Sequence, residues 1–152
     1  MKALSSTFRA ATALSLLGWL VLFAYPLWPQ FGRSLVFTIA VGLLSAMYVW
    51  LLFFARQLDE PGTRPKGGFS SLGGVISLFK SPRVVLVGWI HFLAFDLMVG
   101  LYIVTDAARV GISHWWLLPA LFLALMFGPA GLLLYLLMRC AMSSGAWAIP
   151  PS

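Results

Sequence analysis

The sequence predicts an all-α membrane protein with four transmembrane helices, and composition and hydropathy are the two observations behind this prediction. Of the 152 residues, 61% are hydrophobic and only 9% are charged, whereas a soluble domain has about a quarter charged residues. So few polar side chains cannot cover a water-facing surface, and lipid must therefore surround the chain. The length fits a single transmembrane domain over residues 1–152.

Four apolar runs place the helices at residues 10–28, 34–55, 84–104 and 115–138. Each is close to the ~20 residues that cross a bilayer core, and none contains Lys or Arg. Lys2 and Arg9 stand near the start of the first run, as basic residues do in a signal peptide. That run is long, however, and has no small-x-small cleavage motif. We therefore expect an uncleaved first helix.

The basic residues predict the orientation. In a four-helix topology one side of the membrane holds eight of them, and the other side holds only Arg33 and Arg109. Because cytoplasmic segments carry the excess of Lys and Arg, we expect both termini, including the tail 140–152, in the cytoplasm. A bacterial inner membrane or a photosynthetic membrane fits this reasoning. The net charge of +6 is spread over helix ends, which indicates contact with anionic lipid and no binding of nucleic acid.

The connection between the second and third helices has two parts. Residues 57–68 are polar and rich in Pro and Gly, which is typical of a loop. Residues 69–80 place apolar side chains at helical spacing, and we predict a short amphipathic helix on the cytoplasmic membrane surface; these side chains are Leu72, Val75, Ile76 and Phe79. The alternative is an irregular loop, since Gly73 and Gly74 weaken a helix.

The third run contains two polar residues, His91 and Asp96, near its centre. Both lie within about 5 Å of the predicted midplane, where an Asp costs ~2.5–3.5 kcal/mol and usually faces a cavity or the bundle interior. The directions in which the two side chains leave the helix differ by about 140°, so the side chains could flank one pocket without touching. A structural hydrogen bond and a functional role both remain open for Asp96.

Pro129 interrupts the fourth run within Phe127-Gly128-Pro129-Ala130-Gly131. Proline has no N–H, so the carbonyl of Leu125 is left without its helical donor. In straight antiparallel helices this carbonyl and Asp96 lie at the same depth, about 18–20 Å from the cytoplasmic end. We expect a protonated Asp96 to donate to this carbonyl or to bind a ligand oxygen there. The alternative is an ordinary proline kink.

Asp106 and Arg109 stand at i, i+3 in the outer connection, and this spacing predicts a local ion pair. Their place at the mouth of the third helix also permits a role in binding the polar end of a ligand. No His, Cys or Glu set has zinc spacing, and the single Cys140 excludes an internal disulfide. We therefore expect no metal site.

At these residues the sequence resembles the neoxanthin-synthase-like membrane proteins, a family known from abscisic-acid-deficient plants. The resemblance extends from about residue 72 to residue 139, and the first two helices match only in hydropathy. The matching segments are Gly88-Trp89-Ile90-His91-Phe92-Leu93-Ala94-Phe95-Asp96-Leu97, Asp106-Ala107-Ala108-Arg109, Gly111-Ile112, His114 and Met126-Phe127-Gly128-Pro129-Ala130-Gly131-Leu132-Leu133-Leu134-Tyr135.

The resemblance implies a role with carotenoids, namely the isomerisation of an epoxide to an allene with an alcohol. This reaction needs an acid for the epoxide oxygen and a base for a vinylic proton, and it requires no redox cofactor. His91 and Asp96 would be this pair, with their assignment open. The substrate-binding residues would be of two kinds. Aromatic side chains would stack along the polyene: Trp89, Phe92, Phe95 and Phe127. The other members come from the matched segments: Asp106, Arg109 and Pro129.

A second hypothesis is a non-catalytic subunit, or a pigment-binding scaffold, of a larger membrane assembly such as a photosynthetic complex. An imidazole such as that of His91 also ligates the magnesium of chlorophyll-type pigments. The tail 143–152 contains Trp147 and Ile149, which a membrane-protein partner chain could bury. A transporter receives little support, because the chain has no repeated half.

Overall fold

The computed structural model describes residues 2–59 and 67–142. These residues form six helices and no strand, which confirms the all-α class. Three of the helices, α1, α2 and α4, are long and apolar enough to cross a membrane. The six are α1 Lys2–Phe23, α2 Pro29–Phe53, α3 Leu72–Leu78, α4 Pro82–Val110, α5 His114–Met126 and α6 Gly128–Met142.

Prolines set the turn between the first two helices. α1 ends at Phe23, a short 3-10 turn containing Pro26 follows, and Pro29 opens α2, as expected for a residue that suits the first helical position. Both helices therefore begin and end earlier than the predicted ranges 10–28 and 34–55. Within α2 the segment Leu35–Val41 is π-helical, a local widening that hydropathy cannot reveal.

The long helix α4 is the centre of the bundle. It packs against α1, α2, α5 and α6 and ends at Gly111, whose φ of 78° is the left-handed conformation that closes many helices. α1 runs parallel to α4. The Nε1 atom of Trp89 donates to Thr12 Oγ1 at 3.2 Å, and further toward the C-terminal end of both helices Gly100 lies against Trp19. α1 and α4 therefore begin at the same end of the bundle, called here the N-terminal end.

The predicted continuous fourth helix over residues 115–138 is wrong, because two shorter helices, α5 and α6, take its place. Between them Phe127 leaves the helical region, with φ −148° and ψ 78°. The two helices then fold back against each other so closely that a methyl group on Gly131 would overlap the backbone of Ala124. The Gly-Pro segment therefore forms the tip of a helical hairpin, and not a kink in one long helix.

The direction of α6 follows from its contacts with α4. At the hairpin tip Gly128 lies against Asp96, and further along α6 the Nε atom of Arg139 donates to Asp106. The ten residues between the α4 positions and the eleven between the α6 positions both correspond to about 15–16 Å of helix rise. α6 is thus parallel to α4, and the hairpin occupies only the half of the bundle near Gly111.

This direction determines at which end of the bundle the last helix finishes. Lys2 lies at the N-terminal end, beside Pro82, whereas Arg139 lies at the opposite end, beside Asp106. The described chain therefore begins and ends at opposite ends of the bundle, and the cytoplasmic side of the termini stays a prediction. The tail 143–152, with its predicted partner contacts, lies outside the described residues.

α3 confirms a helix between α2 and α4, although it covers Leu72–Leu78 and not the full range 69–80. The side chain of Ser71 caps it by accepting from the N–H of Gly74 at 3.1 Å, which offsets the weak helix propensity of the glycines. Its apolar side chains Leu72 and Ile76 are exposed. Contact of this face with the membrane surface stays a prediction.

Candidate functional site

His91 lies in a cavity of about 760 Å³ between α2 and α4, closed on one side by α3. Its ring stacks on Phe95, with the ring centroids 4.4 Å apart, and faces Tyr48 at 5.9 Å. The cavity is mainly apolar with a polar rim toward the N-terminal end. Its lining residues are Tyr48, Leu52, Arg56, Asp59, Phe69, Leu78, Phe79, Arg83, Val84, Val87, Gly88, His91 and Phe92.

A buried ion pair builds the rim of this cavity. Arg83 is 4% exposed; its Nε donates to Asp59 Oδ1 at 2.8 Å and its Nη2 donates to Oδ2 at 3.0 Å. The Nη1 atom also donates to the carbonyl of Leu51 at 2.8 Å, near the end of α2. This two-pronged contact ties the end of α2 to the start of α4. Sequence reasoning treated Arg83 only as an orientation signal and missed its partner.

Asp96 lies at the hairpin tip and does not line the His91 cavity. A methyl group built on Gly128 would overlap its Oδ1 atom, so the carboxylate sits against the first residue of α6. The expected hydrogen bond between Asp96 and the Leu125 carbonyl is not among those that the described residues make. Along α4, His91 and Asp96 are about 7.5 Å apart in rise, and they point in different directions.

The four predicted aromatic residues face outward from the described chain, with exposed fractions between 40% and 63%. Phe92 lines the His91 cavity and Phe95 stacks on His91. Phe127 and Pro129 are exposed at the hairpin tip. Trp89 instead packs against α1, with its ring centroid 5.6 Å from that of Phe8. Of the four aromatic residues, Phe92 and Phe95 therefore lie at the His91 cavity and Phe127 lies at the hairpin tip.

The predicted local pair of Asp106 with Arg109 is wrong. Asp106 is 6% exposed and accepts from Arg139 Nε at 2.7 Å and from Tyr135 Oη at 2.5 Å, whereas Arg109 is exposed. The cause is the hairpin, which brings the far end of the chain back to the outer end of α4. Sequence reasoning placed Arg139 on the other side of the membrane, so the contact could not be anticipated.

His114 ties the start of the hairpin to α1, since its Nε2 atom lies 2.9 Å from the carbonyl of Phe23. This contact fixes α5 beside the end of α1. Among residues 2–59 and 67–142, no group of three or more His, Cys, Asp and Glu side chains lies close enough to hold a metal ion.

Comparison with known proteins gives one match. No curated protein and no solved structure matches the sequence. The model of the family described as ABA DEFICIENT 4-like matches residues 6–135, and so includes the first two helices as well as the segments His91 to Asp96 and Phe127 to Gly131. Since this match covers most of the chain, the protein belongs to the ABA DEFICIENT 4-like family.

Proposed function

We propose that this protein binds a carotenoid with one end ring in the His91 cavity and isomerises that ring without a redox cofactor. The observation that carries the proposal is the cavity itself, because it joins the imidazole of His91 to an apolar wall and a polar rim. Family membership supports the substrate class through the carotenoid role that the matched segments imply.

The cavity suits the end of a carotenoid better than its whole length. Its volume of about 760 Å³ is in the range of small-molecule sites, which fits a substituted ring and the first part of the polyene. Ring hydroxyl groups can bond to Arg56 and to the Asp59–Arg83 pair at the rim. The remaining polyene then extends into lipid past exposed Phe92, Phe95 and Phe127.

The proposed reaction is redox-neutral and uses one base and one acid. His91 accepts the vinylic proton, the C–H electron pair forms the second double bond of the allene, and the epoxide C–O bond breaks. Asp96 in its protonated form delivers a proton to the released oxygen, which becomes the alcohol. Asp96 does not line the cavity and points away from His91 on α4, so its proton has to reach the released oxygen through an intervening water or substrate hydroxyl group.

Expression in a carotenoid-producing host tests this function. We expect His91→Ala and Asp96→Asn to lower the isomerised product at least ~100-fold relative to wild type, the usual scale of general acid–base catalysis. His114→Gln is the matched control, because this histidine lies at the other end of the bundle and its ring nitrogen pairs with a backbone carbonyl in α1. A pigment profile that the His91 and Asp96 variants leave unchanged would refute the proposed isomerase.

A second candidate is a pigment-binding scaffold within a larger membrane assembly. The outward-facing aromatic side chains favour it, because they offer stacking surface to a pigment or to a partner helix. Under this function His91→Ala would remove a co-purifying carotenoid or chlorophyll-type pigment from the protein while the host's pigment chemistry stays the same. Pigment extraction from the purified protein separates the two functions.

We further propose the topology in the membrane. α1, α2 and α4 cross it, and the α5–α6 hairpin enters from the far side and returns. Of the eight basic residues that the structure describes, five lie at the N-terminal end: Lys2, Arg9, Arg56, Lys80 and Arg83. The positive-inside rule places this end in the cytoplasm of a bacterial inner or photosynthetic membrane. Met142 is then on the opposite side.

A further inference from the structure

A second concavity lies between the first turns of α1 and the start of α4. Its volume is about 920 Å³, and it shares no lining residue with the His91 cavity. The residues that line it are Lys2, Ala3, Leu4, Ser5, Ser6, Phe8, Arg9, Pro82, Val85, Leu86 and Trp89. We call this the N-terminal groove.

The groove exists because the hairpin is only half as deep as the bundle. On α4, Trp89, Val85 and Pro82 precede Asp96 by 7, 11 and 14 residues, so all three point within about 40° of its direction. Asp96 meets the hairpin tip at Gly128. The groove is therefore the uncovered continuation of the strip of α4 whose other half the hairpin covers.

The groove covers the headgroup side of one lipid leaflet. Its α4 lining extends from Pro82 to Trp89, a rise of about 10 Å, whereas half of a typical hydrocarbon core is about 15 Å. The groove therefore extends from the headgroup level at the N-terminal end toward the midplane and ends before the hairpin tip. A space of this kind inside a bilayer is filled by lipid chains, since its walls are too apolar to hold water.

The charges of the groove are all of one sign. Its lining has two basic side chains, Lys2 and Arg9, and no acidic one. Both belong to the first turns of α1, at the headgroup end, whereas Val85, Leu86 and Trp89 form the apolar wall on α4. Basic side chains at this level attract anionic headgroups, and a zwitterionic headgroup gains less from them because its choline cation offsets its phosphate.

We propose that the N-terminal groove binds one anionic phospholipid of the leaflet at the N-terminal end. Its phosphate lies at Lys2 and Arg9, and its acyl chains run along Val85 and Trp89 toward the midplane. The lipid completes the half of the bundle that a full-length fourth helix would otherwise fill. This site is independent of the proposed carotenoid chemistry.

Native mass spectrometry of the protein released from bilayers of equal parts phosphatidylglycerol and phosphatidylcholine tests the proposal. We expect wild type to retain one phosphatidylglycerol per chain in clear excess over phosphatidylcholine. The double variant Lys2→Gln/Arg9→Gln should lower this preference about tenfold or more, since each basic residue contributes on the order of 1 kcal/mol to anionic lipid binding. The matched control Lys80→Gln/Arg33→Gln removes two exposed charges outside the groove and should leave the preference unchanged.

A second variant tests the groove separately from the charge. Val85 is 49% exposed, so Val85→Trp fills the groove without disturbing the core, and it should abolish retention of either lipid while both basic residues remain. Equal retention of the two lipids by wild type would overturn the proposal. Finding a carotenoid, a second copy of the chain or no lipid at all in place of phosphatidylglycerol would also overturn it. The same holds if Val85→Trp does not reduce lipid retention.

Discussion

The contact between Asp106 and the end of α6 gives the most direct test of the hairpin. Asp106 is 6% exposed and accepts two hydrogen bonds, one from Tyr135 and one from Arg139. Asp106→Asn preserves the size of the side chain but leaves the guanidinium facing a neutral amide. Breaking a buried ion pair from one side costs ~3–5 kcal/mol. Tyr135→Phe removes a single bond to a charged acceptor, and its expected cost is smaller, ~1.5–3 kcal/mol.

The assay is equilibrium unfolding in mixed mild detergent and SDS, read as the free energy of unfolding. We expect Arg139→Gln to destabilise the protein as Asp106→Asn does. The double variant should lose much less than the sum of the two, because removing the second partner eliminates the unpaired charge. The control is Arg109→Gln, which removes the exposed cation that sequence spacing had paired with Asp106 and should leave stability unchanged.

The opposite pattern would refute the hairpin. If Arg109→Gln destabilised the protein and Arg139→Gln did not, then Asp106 would pair within its own helix. The run 115–138 would in that case cross the membrane as one kinked helix. Additive losses in the Asp106–Arg139 double variant would also count against the contact, since residues that share a buried hydrogen bond are energetically coupled.

Three further predictions follow from the same geometry. Cys140, the single and exposed cysteine, should react with a membrane-impermeant maleimide from the non-cytoplasmic side. Lys80→Cys in a Cys140→Ser background should instead react only in inverted vesicles. Labelling of both cysteines from one side would contradict the topology. Gly131→Ala should lower the thermal midpoint because its methyl group overlaps the α5 backbone, while Gly73→Ala, which has open space around its Cα, should not. Arg83→Gln should destabilise the protein by ~3–5 kcal/mol in detergent unfolding by leaving Asp59 buried without its partner, and a loss below 1 kcal/mol would show that the pair is solvated.

The sequence was sufficient for those features that depend on local composition. Charge content predicted the membrane class, and apolar run length predicted the three long helices. The helical spacing of apolar residues located α3. Each of these rests on properties of neighbouring residues, and tertiary contacts shifted only the ends, for instance where Pro29 starts α2 earlier than hydropathy indicates.

The hairpin could not be predicted in this way, because a kink and a reversal have the same hydropathy. Residues 115–138 are continuously apolar, and Pro129 is compatible with either outcome. The choice depends on contacts between distant residues, namely Gly131 with Ala124 and Asp106 with Arg139. Counting Lys and Arg on each side could not reveal the hairpin, because the side of Arg139 was itself deduced from the assumption that the chain crosses the membrane four times.

The chain reversal in the hairpin also changes which residues contact the polar side chains of α4. In a straight four-helix bundle Asp96 would need a carbonyl partner at mid-membrane, and the Pro-freed Leu125 was the natural choice. In the hairpin, Asp96 instead meets the start of α6, and the strip of α4 beyond the tip is left uncovered as the N-terminal groove. One interruption in the fourth apolar run therefore positions Asp96, leaves this groove open and brings Arg139 to the end of the bundle opposite Lys2. For this reason, a variant that straightens the hairpin should abolish carotenoid chemistry and lipid retention together, although it alters neither His91 nor Lys2.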